Sequence, residues 1–346
     1  RVGHTTLISG EGPLQVGRGR VRTGVTAIHP HEGSVFSASL PAAIEVLNGT
    51  GEITGRSHVD ELGLLESPIL ITNTLSVGEV HRACVDWLCR QEPSIGTRHF
   101  VVPVVAETFD GSLNDAAGQH VSRDHVFAAL DSASAGPVAE GNVGGGTGMR
   151  LFGFKGGIGT ASRMVLAGDQ TYALGVLVQG NFGAREDLLV DGVPVGRELR
   201  HWSGTPAPST EMGPSSVQRD GSIIVVIATN APLNERQLRR LCRRGVLGLG
   251  RVGSTAGNTS GDLLIAFSNA PENRVDRCDE SNQRRIAFLA DGTLNPLFRA
   301  TVEATAEAVL NALCAAETMT GRDDNVAHAL PLDEVCAIMR RHGRLS

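Results

Sequence analysis

A small hydroxyl at the mouth of an apolar strand is where this sequence concentrates its chemistry. Asp220-Gly221-Ser222 runs straight into Ile223-Ile-Val-Val-Ile227, a β-branched stretch long enough for one strand and too short for a buried helix. No polar residue alternates through it, which implies a strand covered on both faces. Ser222 is therefore a candidate nucleophile, and Gly221 leaves the preceding peptide bond sterically open. Taken alone, Gly-Ser is equally an ordinary turn before a strand. A second pair, Ser260 and Asp262, stands at the start of the apolar segment 263–267. In extended backbone, residues two apart share a face, and a hydroxyl beside a carboxylate can orient a base or an ammonium group. A turn in which Asn258, Thr259 and Ser260 bond the backbone would use the same residues.

Other constellations carry less. The glycine cluster 141–148 lacks the preceding strand and following helix that a dinucleotide loop needs, and no Gly-Lys-Ser/Thr occurs. The 11 histidines show no His-x-x-x-His and no carboxylate at ligand spacing, so neither cofactor nor metal is expected. A net charge of -6 and 4% aromatics argue against a nucleic-acid partner. No apolar run reaches the roughly 18 residues of a membrane span, so no membrane partner is expected either. The six scattered cysteines form no Cys-x-x-Cys pair and read as thiols of a reducing, cytoplasmic setting.

The elements that must position these residues follow from periodicity and punctuation. Short strands are predicted near residues 4–10 and 24–29, then over 69–73, 101–108, 172–179, 223–227 and 263–267. The segment 39–50 reads as a short helix stopped by Asn48-Gly49. Ser76 is placed as the cap of a helix over 77–91, and Asn234 as the cap of one over 235–244 with a solvated arginine face. Long and short amphipathic helices are expected over 297–317 and after Pro331. A Pro/Ser/Thr/Gly-rich loop, 203–216, precedes the Gly221-Ser222 pair. Strands this apolar, punctuated by helices, imply sheets covered by helices; periodicity does not choose between a doubly wound sheet and stacked sheets.

Several long motifs together carry a resemblance. Gly141-Asn-Val-Gly-Gly-Gly-Thr-Gly-Met149 with Phe154-Lys-Gly-Gly-Ile-Gly-Thr-Ala-Ser-Arg163, then Val176-Leu-Val-Gln-Gly-Asn-Phe-Gly183, Asp220 to Thr229 and Gly253 to Asp262 resemble the DmpA-type aminopeptidases, a family of L-aminopeptidase/D-esterases and β-peptidyl aminopeptidases. Residues 4–25 and 69–74 fit as well, so the likeness spans nearly the whole chain. It implies one domain over 1–346 with a four-layer αββα sandwich, shared with ornithine acetyltransferase. It also implies self-cleavage between Gly221 and Ser222, into an α chain of 1–221 and a β chain of 222–346, assembled as a tetramer of heterodimers. By resemblance, Ser222 is the nucleophile, Ser260 and Asp262 position its amine and hydroxyl, and Asn181 donates to the oxyanion. Glu107 is the expected anchor for a substrate ammonium, with Asp110 and Asn114 as weaker candidates. At Phe109 some relatives carry Tyr, whose hydroxyl this chain lacks. The implied substrates are short peptides, amino-acid amides or esters. Asp262, where β-peptide cleavers have Glu, leans towards α-amino acids. Acetyltransferase relatives use Thr as nucleophile, against which Ser222 argues; a catalytically silent relative would stay uncut.

Overall fold

The structure is a computed structural model that describes residues 1–202, 221–279, 281 and 283–345. The loop 203–216 and Asp220 lie outside the described residues. In chain order the strands are β1 (Val2–Ser9), β2 (Val21–Ile28), β3 (Ala38–Gly49), β4 (Leu64–Leu65), β5 (Ile69–Asn73), β6 (Val104–Thr108), β7 (Arg150–Leu151) and β8 (Phe154–Lys155). They continue with β9 (Ile158–Ala167), β10 (Gln170–Asn181), β11 (Ser222–Thr229), β12 (Gly261–Ser268) and β13 (Val275–Asp276). The helices are α1 (Arg56–Leu62), α2 (Val77–Gln91), α3 (Arg123–Asp131), α4 (Val195–Glu198), α5 (Glu235–Arg251), α6 (Asn295–Cys314) and α7 (Leu332–Arg341).

Alternation along β11 shows how the layers form. Ile223, Val225 and Ile227 point into a core shared with Leu238 and Leu241 of α5 and Ala304 and Ala308 of α6. Ile224 and Val226 point the other way, into a core with Ile71 of β5 and Ala106 of β6. A strand buried on both faces in this way must lie in a sheet covered by helices on one side and by a second sheet on the other. The larger sheet has the order β13-β3-β12-β11-β10-β9, with β4 beside β3; the smaller has β1-β2-β5-β6. On the outer face of the smaller sheet, Val25, Leu70 and Val105 meet Val80, Cys84 and Leu88 of α2 and Val126 of α3. The layering is therefore α, β, β, α.

Three local expectations are corrected. Residues 39–50 form strand β3, antiparallel to β12, because Ala43 faces the helix-side core while Leu40, Ala42 and Ile44 face the inter-sheet core. Two-sided burial outweighs the weak helical preference of Ala, Glu and Leu. Helix α5 continues past Arg244 to Arg251, with Gly245 and Gly248 packed closely against Leu264 and Thr305. The turn before α2 is capped by Asn73, whose Oδ1 accepts from Leu75 N and Ser76 N at 3.1 and 3.2 Å, and the Ser76 side chain makes no capping bond. Asn234 does cap α5, in a capping box with Gln237.

Candidate active site

Registry brings the predicted residues together. β10 and β11 are antiparallel with Asn181 opposite Ser222, and β11 and β12 are parallel with Ser222 opposite Gly261. Ser222 shares its face with Ile224 and Val226, so its hydroxyl projects between the two sheets. Ser260 and Asp262 flank Gly261 and share the helix-side face with Leu264. The nucleophile candidate and its helpers thus approach the Gly221–Ser222 peptide from opposite sides of the sheet.

The carbonyl of Gly221 is gripped twice. Its oxygen accepts from Ser260 Oγ in a short hydrogen bond and from Gly261 N at 3.2 Å. Ser260 Oγ also lies 2.8 Å from Asp262 Oδ1. A serine hydroxyl has one proton to give, so Ser260 can serve one of these acceptors at a time. Carboxyl, hydroxyl and carbonyl therefore form one hydrogen-bonded chain that ends at the Gly221 oxygen. The glycine itself is required by packing: a Cβ on Gly221 would lie 1.9 Å from the Asn181 carbonyl oxygen. A cavity of about 20 Å³ lined by Phe182, Gly221, Gly257 and Ser260 adjoins this peptide, room for about one water. A wider cavity of about 430 Å³, lined by Met164, Leu166 and Arg299 among others, lies by β9 and α6; size does not mark the chemistry here.

Asn181 is oriented without ambiguity. Its Oδ1 accepts from Arg150 N at 2.9 Å and its Nδ2 donates to the Phe109 carbonyl at 2.8 Å. A backbone N–H can only donate and a carbonyl can only accept, so the amide cannot be flipped. The Phe109 ring folds back over Gly111, where an added Cβ would meet its Cζ at 2.2 Å.

Glu107, at the end of β6, bonds Thr74 Oγ1 through a short contact and Glu52 N at 2.9 Å. Burial raises its pKa against the lowering effect of these two donors. Two glycines separate it from the hydroxyl. A Cβ on Gly51 would sit 3.1 Å from Glu107 Oε1, and one on Gly261 would sit 3.0 Å from Ser222 Oγ. Asp110 does not join this cluster. It is fully buried, its Oδ1 accepts from Asn114 Nδ2 at 3.1 Å, and its Oδ2 lies without a hydrogen bond in good geometry among the described residues. Burial pushes it up to about 7 despite the Thr23 and Asn114 side chains beside it. Asn114 likewise faces inward, accepting from Arg22 N at 2.9 Å.

The glycine cluster is structural. Gly144–Gly146 form a buried 3-10 turn, where a Cβ at Gly145 would meet Gln179 Oε1 at 2.1 Å and Ile71 O at 2.7 Å. Sequence reasoning missed Gly51, Gly261, the Arg150 N–H and Lys155. For the last, one signal was available: Lys155 is the only lysine in the chain.

The profile of peptidase family S58 matches residues 1–327. The chain belongs to peptidase family S58. Among its relatives, the β-peptidyl aminopeptidase BapA of Sphingosinicella xenopeptidilytica is 47% identical over 346 residues, covering 98% of this chain and 84% of that protein. The crystal structure of the PH0078 protein from Pyrococcus horikoshii OT3 superposes with a TM-score of 0.92 at 46% identity, over 99% of this chain and 92% of that one. The L-aminopeptidase D-Ala-esterase/amidase of Ochrobactrum anthropi, described as a prototype for the serine aminopeptidases and a variant of the Ntn hydrolase fold, gives 0.89 at 40% identity, over 100% and 92%. As an S58 member the chain is a serine peptidase with the α/β sandwich of the N-terminal-nucleophile hydrolases.

Proposed function

We propose that this chain is made uncut, cleaves itself between Gly221 and Ser222, and then acts as an aminopeptidase on short peptides, amino-acid amides or esters. The observation that carries the reading is the doubly held Gly221 carbonyl next to a serine directed into the inter-sheet space. Ser222 Oγ attacks the Gly221 carbonyl carbon while negative charge on its oxygen is met by Ser260 Oγ–H and Gly261 N–H. The Gly221–Ser222 C–N bond breaks, the nitrogen takes the proton that the Ser222 hydroxyl gives up, and Gly221 is left as an ester on Oγ. Water then hydrolyses the ester, giving the Gly221 carboxylate and a free α-amine on Ser222.

That amine, with an ordinary pKa of about 8, is a suitable base near neutral pH. It takes the Oγ proton as Oγ attacks a substrate carbonyl; Asn181 Nδ2 leaves the Phe109 carbonyl and donates to the oxyanion. The leaving amine departs with a proton and water releases the acyl group. Glu107 holds the substrate ammonium, an assignment supported by its position across two glycines from Ser222 Oγ. Asp262 supports α-amino-acid substrates; the β-peptidyl activity for which the Sphingosinicella relative is named is the second reading. Paired assays on α- and β-alanyl p-nitroanilides decide between them, as the same assays on D-alanine amide do for a D-amidase.

Intact mass under denaturing conditions tests the whole reading. Wild type is expected as two fragments divided at 221/222 and Ser222→Ala as one chain; an uncut, inactive wild type would instead fit a silent relative. Assembly as a tetramer of heterodimers is supported by exposed apolar residues on edge strand β9, Met164 at 72% and Leu166 at 63%; a heterodimer mass by light scattering refutes it. The cytoplasmic setting is supported by six free cysteines, and cell fractionation tests it.

A further inference from the structure

Of the 31 lysines and arginines, only Lys155 is a lysine, and it is fully buried. Among the described residues, no carboxylate pairs with it. Its Nζ donates to three carbonyl oxygens, those of Gly146, Met149 and Gly156, at 3.3, 2.9 and 2.6 Å. Burial lowers it to about 7, because desolvation disfavours the charged form, and the three carbonyl oxygens are what this site offers the ammonium in return. Three donors on one nitrogen can converge on three carbonyls, whereas the planar fork of an arginine spreads its donors apart. This geometry requires an ammonium group in a chain that uses arginine everywhere else.

One of the three peptide groups that the ammonium holds leads to the site. The carbonyl of the Met149–Arg150 peptide accepts from Lys155 Nζ and from Gly156 N at 3.1 Å. The N–H of that same peptide donates to Asn181 Oδ1 at 2.9 Å. Nearby, Met149 N donates to Gly146 O at 3.2 Å, so the loop closes on itself around the ammonium. A cation on the oxygen of a peptide draws electron density from its N–H and strengthens that donor. Asn181 in turn stands opposite Ser222.

We propose that Lys155 is a positioning residue for the oxyanion amide: it fixes and polarises the Met149–Arg150 peptide, which aims Asn181 Nδ2 at the reacting carbonyl. The inference rests on Asn181 being the oxyanion donor. It predicts a dependence that a merely structural lysine would not have, because all of its catalytic effect passes through Asn181. Self-cleavage, whose carbonyl is held by Ser260 and Gly261, should not need Lys155.

The test is a double-mutant cycle with Lys155→Met, Asn181→Ala and both, on an alanyl p-nitroanilide. Asn181→Ala is expected to lower kcat by about 100-fold or more, as loss of one oxyanion donor does. Lys155→Met is expected to lower kcat by about 10-fold or more with KM little changed, and to cost almost nothing further in the Asn181→Ala background. Appearance of the 222–346 fragment certifies that each variant has folded. Should Lys155→Met prove unfolded by circular dichroism, Lys155→Arg takes its place, with the same kcat loss expected; a folded Lys155 variant that stays uncut overturns the proposal. Independent, multiplicative losses overturn the proposal, and so does wild-type kcat in a folded Lys155 variant. Full activity of Asn181→Ala would instead remove the oxyanion assignment and the proposal with it.

Discussion

Gly221 shows how much a single missing methyl decides. Its ideal Cβ falls 1.9 Å from the carbonyl oxygen of Asn181 and 2.8 Å from Phe182 Cα, both backbone atoms that cannot swing aside. Gly221→Ala must push the 221–222 peptide away from β10, and misplacement by about 1 Å costs on the order of 100-fold in rate. Self-cleavage of Gly221→Ala, followed by intact mass, is expected to slow at least that much; wild-type cutting would dismiss the packing argument. Asp110 makes a prediction about stability. Its folded-state pKa of about 7 lies above its ordinary 3.8, so between these values the folded chain keeps a proton that the unfolded chain has lost. Its contribution is complete below about pH 4, fades as pH rises to about 7, and is then flat. Asp110→Asn cannot ionise, so its stability relative to wild type should climb across that window by up to about 4 kcal/mol, at about 1.4 kcal/mol per pKa unit. Urea unfolding at pH 4, 5.5 and 7.5 measures it, and a pH-independent difference would count against the buried-acid account.

At the scale of elements, helix α5 separates propensity from packing. A Cβ on Gly248 would meet Thr305 Cβ and Val302 O of α6 at 2.7 Å, whereas one on Gly250 meets nothing within 4 Å. Replacing a mid-helix glycine by alanine gains up to about 1 kcal/mol from propensity, and overpacking costs about 1–3 kcal/mol. Gly250→Ala is therefore expected to stabilise by some tenths to about 1 kcal/mol and Gly248→Ala to destabilise by about 1 kcal/mol, read from urea midpoints. Equal signs for the two would refute the division. The arginine face of α5 is solvated but not idle: Arg239 pairs with Glu235 and Asp60, and Arg243 with Glu45. These partly exposed pairs tie α5 to α1 and β3, each with a small contribution.

On the scale of the whole molecule, cleavage at 221/222 would cut the chain without dividing the fold. In the larger sheet, β3 lies between β13 and β12, and β10 beside β11. Strands from before and after the cut are thus interleaved in one sheet and share both large cores. The two fragments are expected to co-elute in native gel filtration and to separate only in denaturant. Dissociation of folded fragments under native conditions would contradict this interleaving.

The chain's own residue pattern determined where most strands run, because short apolar runs such as the β-branched 223–227 and the segment 263–267 are too short for a buried helix and are bounded by turn residues. The family resemblance carried by several motifs in order then implied Ser222, Ser260, Asp262 and Asn181 as one group, and strand registry brings them side by side. Tertiary structure alone decided what sits around them. Segment 39–50 became a strand because β12 offers it a partner and two buried faces, which no local preference reports. Asp110, a weaker candidate for the substrate ammonium by resemblance, is fully buried. Gly51, Gly261 and Lys155 acquire their roles from contacts between residues far apart in sequence or from peptide groups without side chains. Those contacts exist only once the registers of β10, β11 and β12 are set, and register is a property of paired strands, not of any one segment.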